Sequence, residues 1–388
     1  MKKSLLSLLI ACTVGAHSVA VAEDAEFPVL DLHSDIMTRV IDNDVDLADT
    51  PEFARTSIPA MQEGNVRDQV LSIWIHTGRL RGHEATQRAF RKIDAYYEQE
   101  ARHSDDIALA LTVADSDRIR EEGRIAMWLW IEGAEPINDD LALLRTFHRL
   151  GVRGMTLTWN HNLSWAGAAT DDPEMGLTDF GREVVREMNR IGMIVDISHV
   201  SEQTFWDTLE VTEHPVVATH SSCRALSDHV RNLTDDQLRA VAENGGVVGI
   251  TLVPNFLSED WAPAARAARE EIVDELAELE ERYDGNTANP HFREERRVMV
   301  EQAMPPEDRI TIEHYIDHIE HAVRVAGPEH VALGSDFDGI WNYPVGIDNP
   351  ADFPHLAERM RARGFDDDTI RAIFSENALR VFREVIGE

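Results

Sequence analysis

The 388-residue chain reads as an α/β protein, a single (β/α)8 TIM-type barrel with a helical insertion after its seventh strand. Three observations carry that expectation. Eight short apolar runs recur along the chain, most of them separated by longer amphipathic stretches. The His, Asp and Glu residues with the richest chemistry fall just past the ends of those runs, and in a barrel such points share one rim. The turn after the first run, Asp31-Leu32-His33-Ser34-Asp35, lacks the glycines that would mark an open doubly wound sheet, the competing architecture.

Taken in order, residues 1–22 read as an export signal. Lys2 and Lys3 form a positive start, Leu5 to Val14 is a short apolar stretch, and Ala20-Val21-Ala22 fits small-residue cleavage before Glu23. The apolar stretch is too short for a transmembrane span. Leu9-Ile10-Ala11-Cys12 also fits a lipoprotein box, so a lipid anchor at Cys12 is the alternative to simple cleavage. Either way the mature chain is expected outside the cytoplasm, periplasmic or secreted. Cleavage leaves 23–388 as the barrel domain and Cys223 as its lone thiol, which excludes an intramolecular disulfide.

The expected strands are Phe27–Leu32, Gln69–Ile75, Ile125–Ile131, Gly154–Thr158, Met193–Ile197, Val216–Thr219, Gly246–Leu252 and His330–Gly334. Thr178–Arg190, Glu202–Leu209 and Asp235–Glu243 read as intervening helices. Residues 259–306 interrupt the alternation, and Ala264 to Tyr283 has helical spacing with a charged, solvated pattern. His314, His318 and His321 share one side of the next helix and read as a partly exposed face, with a surface metal site as the alternative. Cys223 reads as a small buried packing residue.

Composition bounds the function. Lys+Arg number 37 against 71 Asp+Glu, a net charge of −34, which argues against nucleic acid as a partner. Removing Lys2 and Lys3 with the leader takes the charge to −36 and leaves Lys92 as the sole lysine among 34 arginines. A GC-rich genome and adaptation to salt both account for this pattern.

His33 and Asp35 follow the first strand, Glu132 the third, His199 the fifth and Asp336 the eighth, while His220 ends the sixth. Each alone has a structural explanation, as a hydrogen-bonded strand end or a turn residue. Together they form a nitrogen-and-oxygen donor set suited to Zn²⁺ or a similar ion. In an extended segment His33 and Asp35 point to one side. Five ligands exceed one open tetrahedral zinc site but suit two ions sharing a carboxylate, roughly 3.5–4 Å apart. A serine nucleophile elbow is missing, so metal-activated water is the favoured chemistry.

These residues resemble the membrane (renal) dipeptidase family, peptidase family M19, binuclear zinc barrels related to the amidohydrolases. The resemblance runs from about Val29 to Phe382. It rests on Asp31-Leu32-His33-Ser34-Asp35, Ile131-Glu132-Gly133, Gly151-Val152-Arg153 with Thr156-Leu157-Thr158, Asp196-Ile197-Ser198-His199, His220-Ser221-Ser222, Arg231-Asn232 and Gly334-Ser335-Asp336-Phe337-Asp338-Gly339. It implies two Zn²⁺ per chain, with His33 and Asp35 on the first, His199 and His220 on the second, and Glu132 bridging. It further implies that Arg231 holds the substrate's terminal carboxylate and that Asp336 contacts the amine and handles protons. The implied reaction is attack of a metal-bridging hydroxide on a dipeptide with free amino and carboxyl ends, tolerating a D-residue at the C-terminal position. A homodimer is implied by the same resemblance.

The chain departs from the family where a His usually follows Thr-Leu-Thr: Trp159 stands there, and His161, two residues on, becomes the candidate to polarise the scissile carbonyl. Trp159 is a candidate for lining the pocket. Glu376-Asn377-Ala378 also departs from the usual Gly-Gly-Asn. The competing functions are another binuclear amidohydrolase, acting on an amide or lactone, and a non-catalytic binding protein. A carboxylate clamp at Arg231 favours the dipeptide.

Overall fold

The computed structural model describes residues 27–387; the expected leader, its cleavage point at Ala22 and Cys12 lie outside them. Strands form at all eight expected places: β1 (Val29–Ser34), β2 (Val66–Trp74), β3 (Ile125–Glu132), β4 (Val152–Thr156), β5 (Ile194–Asp196), β6 (Val217–Ser221), β7 (Val247–Ile250) and β8 (Val331–Leu333). Each pairs in parallel with the next, and β8 returns to β1 with Leu333 beside Asp31. The sheet is therefore a closed (β/α)8 barrel. A further strand, Ile107–Leu109, lies along the start of β3. Three residues carry too little alternation to be seen in sequence.

Every barrel-strand residue is buried except Arg67 and Trp74, as expected of parallel strands covered on both faces. On β3 the alternation is clean. Met127, Leu129 and Ile131 pack in the large cluster that includes the surrounding helices. Ala126, Trp128 and Trp130 pack with Leu30, Val217 and Val247 from near the starts of other strands and with Val70 from the middle of β2. Phe382, on the helix Asn377–Val385, joins this second cluster, with its ring 5.0 Å from Trp128. Asn377 fixes that helix by donating to the carbonyls of Pro328 and Val331. The N-terminal end of the barrel is thereby plugged with apolar side chains, and the other end is left for polar ones.

The expected helices start on caps. Thr178, Ser201 and Thr234 accept from the backbone N–H three residues on and open Asp179–Ile191, Glu202–Val211 and Asp235–Glu243. Between β7 and the helix Ile312–Ala326 the chain forms Pro254–Leu257, Trp261–Glu271, Val273–Arg282 and Pro290–Ala303. The stretch Ala264 to Tyr283 is thus two helices meeting at Ile272. Ala265, Ala268, Val300 and Met304 form a small core of their own. The buried Glu294 ties this excursion to the barrel by accepting from Arg55 at 2.8 Å.

The histidine face at 314–321 differs from expectation. His318 and His321 are buried, and both ring nitrogens of each are occupied. His318 Nδ1 accepts from the Cys223 N–H and its Nε2 faces the Leu257 carbonyl. His321 lies between Asp235 and Arg324. The ring donors and acceptors are spent on packing this helix against the barrel. Burial pushes the Cys223 thiol up to about 12, which suits a packing residue and not a nucleophile. Among the described residues, no helix is long and apolar enough to cross a membrane.

Candidate active site

The rim holds a cavity of about 1290 Å³, lined by Asp35, Glu132, Trp159, His199, His220, Arg231 and Asp336 among others. Local backbone geometry delivers these side chains. Glu132 is the last residue of β3, and His220 lies near the end of β6. His199 (φ 66°), Asp336 (φ 63°) and Asp338 (φ 67°) occupy the left-handed region, which turns the chain sharply just past β5 and β8. His33 and Asp35 do meet, with His33 Nε2 3.4 Å from Asp35 Oδ2, but not by strand periodicity. β1 ends at Ser34, and Asp35 opens the helix Ile36–Asn43.

Two hydrogen bonds stitch the ends of β1 and β8 together. The Asp35 N–H donates to the Phe337 carbonyl at 2.8 Å, and the Asp336 N–H donates to the His33 carbonyl at 3.1 Å. Below them, buried Asp31 accepts from the Ser335 N–H at 2.8 Å and from its hydroxyl at 2.6 Å. Gly339 leaves room: a Cβ there would run into Asp336 Oδ1 and Asp35 Oδ2.

Glu132 stands at the centre with its oxygens divided. Oε2 lies 3.3 Å from His33 Nε2, while Oε1 lies 3.1 Å from His199 Nε2 and 3.6 Å from His220 Nε2. The His199 and His220 Nε2 atoms are 2.9 Å apart. Their tautomers are set from behind. His199 Nδ1 donates to Asn160 Oδ1 at 2.9 Å. His220 Nδ1 donates to Thr219 Oγ1 at 2.9 Å, because the Thr219 hydroxyl itself donates to Asp196 Oδ2 at 2.6 Å. Both Nε2 atoms therefore present bare lone pairs to each other and to a carboxylate oxygen. Burial, with Arg231 next, pulls His199 down to about 3, and burial with His33 next holds His220 well below the usual imidazole range. Three converging lone pairs without a proton call for a cation.

The second group is His33, Asp35 and Asp336, whose ligand atoms lie within 4.8 Å of one another, as do those of His33, Glu132 and His220. Among the described residues, neither ring nitrogen of the fully buried His33 has a hydrogen-bond partner, and Asp35 Oδ1 has none. Burial opposes charge on His33, but Glu132 and Asp35 outweigh it and hold the ring well above its usual range. A carboxylate pair with that effect on a proton would also attract a metal ion. The orphaned nitrogens and the N/O donor set fit two divalent ions sharing Glu132.

Arg231 is 4% exposed and has no carboxylate within 4 Å among the described residues. Its Nη2 donates to the His220 carbonyl at 3.3 Å and its Nε is unpartnered. Burial pulls it down to about 10, so it keeps its charge at neutral pH. Asp336 is held well above the usual carboxylate range by burial, with Asp35 and Glu132 adding to it.

Trp159 lines the cavity, 5.2 Å from the Trp74 ring and 5.1 Å from His76. His161 is not among the lining residues; it stacks on Trp159 at 6.0 Å with its ring nearly parallel, close to Gly78. The indole thus stands beside the imidazole that sequence reasoning offered for the carbonyl. His76, which that reasoning missed, does line the cavity, as do Trp74 and Asn160. Its signal was available: His76 directly follows the second expected strand. Behind this wall lies Lys92, fully buried on the helix His83–Arg102. Its Nζ donates to Thr38 Oγ1 at 2.6 Å and sits 5.5 Å from the Trp74 ring centre, and burial pulls it down to about 8.

The family model of the membrane dipeptidases (peptidase family M19) matches residues 19–387. The chain belongs to this family. The dipeptidase tcpJ of Claviceps purpurea is 33% identical over 306 residues, 78% of this chain and 61% of that protein. An uncharacterised dipeptidase of Schizosaccharomyces pombe is 35% identical over 270 residues, 68% of this chain and 54% of that protein. The matches thus span less than two thirds of the length of either relative. Among solved structures, a dipeptidase of metallopeptidase family M19 superposes with a TM-score of 0.75 at 26% identity, covering 94% of this chain and 100% of that one. A metallopeptidase of Rhodobacter sphaeroides, bound to a phosphinate mimic of L-Ala-D-Ala, shares the fold with a TM-score of 0.76 at 24% identity, over 93% and 99% of the two chains.

Proposed function

We propose that this family member is a zinc-dependent dipeptidase that hydrolyses dipeptides with free amino and carboxyl ends. The observation that carries the reading is Glu132, whose two oxygens face different histidines in a cavity that also presents Arg231 without a carboxylate partner. His33 and Asp35 would hold one ion, His199 and His220 the other, and Glu132 both. Bound zinc supplies Lewis-acid polarisation and acidifies water at neutral pH. The chain's own residues do the rest. Arg231 offers its planar fork to the C-terminal carboxylate, fixing the substrate's direction. Asp336, whose carboxylate has no hydrogen bond among the described residues, takes the amino end and carries the proton between water and leaving amine. Trp159 and Trp74 bound the side-chain space.

Acceptance of a D-residue at the C-terminal position belongs to the same proposal. A clamp that grips the carboxylate leaves the α-carbon substituent to the open cavity. The L-Ala-D-Ala mimic seen in the Rhodobacter protein agrees with that reading. The test is metal analysis together with turnover of paired L-L and L-D dipeptides at several salt concentrations. Two equivalents of zinc and hydrolysis of both series are expected. Faster turnover of lactones or C-terminal amides than of free dipeptides would move the assignment to the broader amidohydrolases. Less than one equivalent of metal would sink the two-ion site.

A further inference from the structure

Adjoining the catalytic cavity, the acidic chain gathers three arginines that have no carboxylate partner among the described residues. A second cavity, of about 410 Å³, opens on the helical excursion after β7. It is lined by Arg269, Arg293, Arg296 and Arg297, and its other lining residues, Thr287, Val300, Trp341 and Asn342, carry no charge. Thus no carboxylate among the described residues lines it, in a chain with 71 Asp+Glu. Arg297 is neutralised by Glu294 and Glu301, each at 2.7 Å. Arg269, Arg293 and Arg296 have no carboxylate within 4 Å among the described residues, whereas Arg363 alone reaches Glu313, Asp317 and Glu320.

Arg296, exposed like Arg293 while Arg269 is half-buried, opposes the charge on both. Burial lowers Arg269, and Arg296 and Arg266 lower it further; burial lowers Arg293, with Arg39 and Arg296 adding to it. Arg293 is held in place, its Nε donating to the Thr287 carbonyl at 3.2 Å and its guanidinium 5.3 Å from the Trp341 ring centre. Guanidinium groups kept together without counter-ions are a site for a multiply charged oxyanion, which accepts several charge-assisted hydrogen bonds at once. The Thr287 and Asn342 side chains add neutral polar groups, and the indole of Trp341 offers a flat apolar face.

We infer that this cavity binds a phosphate-class dianion, free or carried on a small organic molecule. Arg293 and Trp341 also line the catalytic cavity, so the two spaces adjoin. Arg269 and Arg296 line only the second one, which makes them the clean probes.

The test is calorimetric titration of the metal-loaded protein with inorganic phosphate and with phenyl phosphate, at constant ionic strength set by NaCl. Saturable binding is expected, weakened by about tenfold or more in the double variant Arg269→Gln/Arg296→Gln. Dipeptide turnover in the absence of phosphate should be unchanged in that variant, which separates this site from the metal centre. Arg269→Lys/Arg296→Lys should retain part of the affinity and guards against a folding defect. Equal affinities for the two probes would identify free phosphate as the ligand form; tighter phenyl phosphate would identify an organic phosphate on Trp341. No binding beyond the NaCl background, or binding undiminished in the Gln variant, would overturn the inference.

Discussion

Asp196 touches no metal-facing atom, yet its replacement by Asn should unload the site. Its Oδ1 accepts the backbone N–H of Ser198 at 2.8 Å and of Thr219 at 3.1 Å. Its Oδ2 accepts the Trp130 indole N–H at 3.1 Å and the hydroxyls of Thr156 at 2.5 Å and Thr219 at 2.6 Å. Backbone donors cannot turn away, so the Asn carbonyl would keep the first position and its NH2 would face the second. The Trp130 N–H then has no acceptor, a buried loss of about 1–3 kcal/mol. Two charge-assisted bonds become neutral ones, and the sum comes to about 3–5 kcal/mol. The Thr219 hydroxyl, now receiving the amide proton, must donate elsewhere, and His220 Nδ1 lies 2.9 Å away. That moves the imidazole proton to Nε2 and occupies the lone pair meant for metal. Metal affinity should fall by about 10–100-fold. Urea denaturation of the metal-free protein measures the first effect and competition with a chelator the second. A variant that loses stability but keeps parental metal affinity would refute the tautomer relay; one that loses neither would refute the reading of Asp196 altogether.

Other outcomes follow from single distances. Arg231→Lys should lower kcat/KM for free dipeptides on the order of 10²-fold, mainly through KM, because an ammonium cannot grip a carboxylate in two places; a C-terminally amidated dipeptide should be nearly indifferent to the change. Gly339→Ala should displace Asp336 and Asp35, lowering stability by about 2 kcal/mol and metal stoichiometry with it, as read by melting and metal analysis. Lys92, buried and pulled down from 10.5 to about 8, makes the folded state release its proton before the unfolded one. The unfolded chain binds more protons between those values, so stability should rise with pH through that window by up to about 3 kcal/mol. Lys92→Met should accordingly be more stable than the parent at pH 7, with the gap closing towards pH 10.5, as measured by denaturation at both ends.

The barrel was legible because a parallel strand buried on both faces must be continuously apolar, and a strand end that carries chemistry must be polar. Ile125 to Glu132 states both rules in eight residues. The same rule marks His199, His220 and Asp336, and His76 at the end of the second strand obeys it too. Burial behind the first layer was not legible. Asp31 and Asp196 look like ordinary motif members until their donors from Ser335 and Thr219, distant in sequence, arrive. Direction within a loop was equally hidden: Trp159 faces the cavity and His161 lies beside it because of turns that no periodicity encodes. The histidines at 318 and 321 misled for the opposite reason, since polar residues with every ring nitrogen satisfied pack as well as apolar ones.

The solitary lysine of the barrel also has a use at the bench. Arginines do not react with amine-directed esters, and Lys92 is enclosed behind Thr38 and Trp74. Acylation at this position in a folded sample can proceed only when the wall of the catalytic cavity opens. Mass spectrometry of one peptide, followed over time, would therefore time the breathing of the active site without any engineered tag.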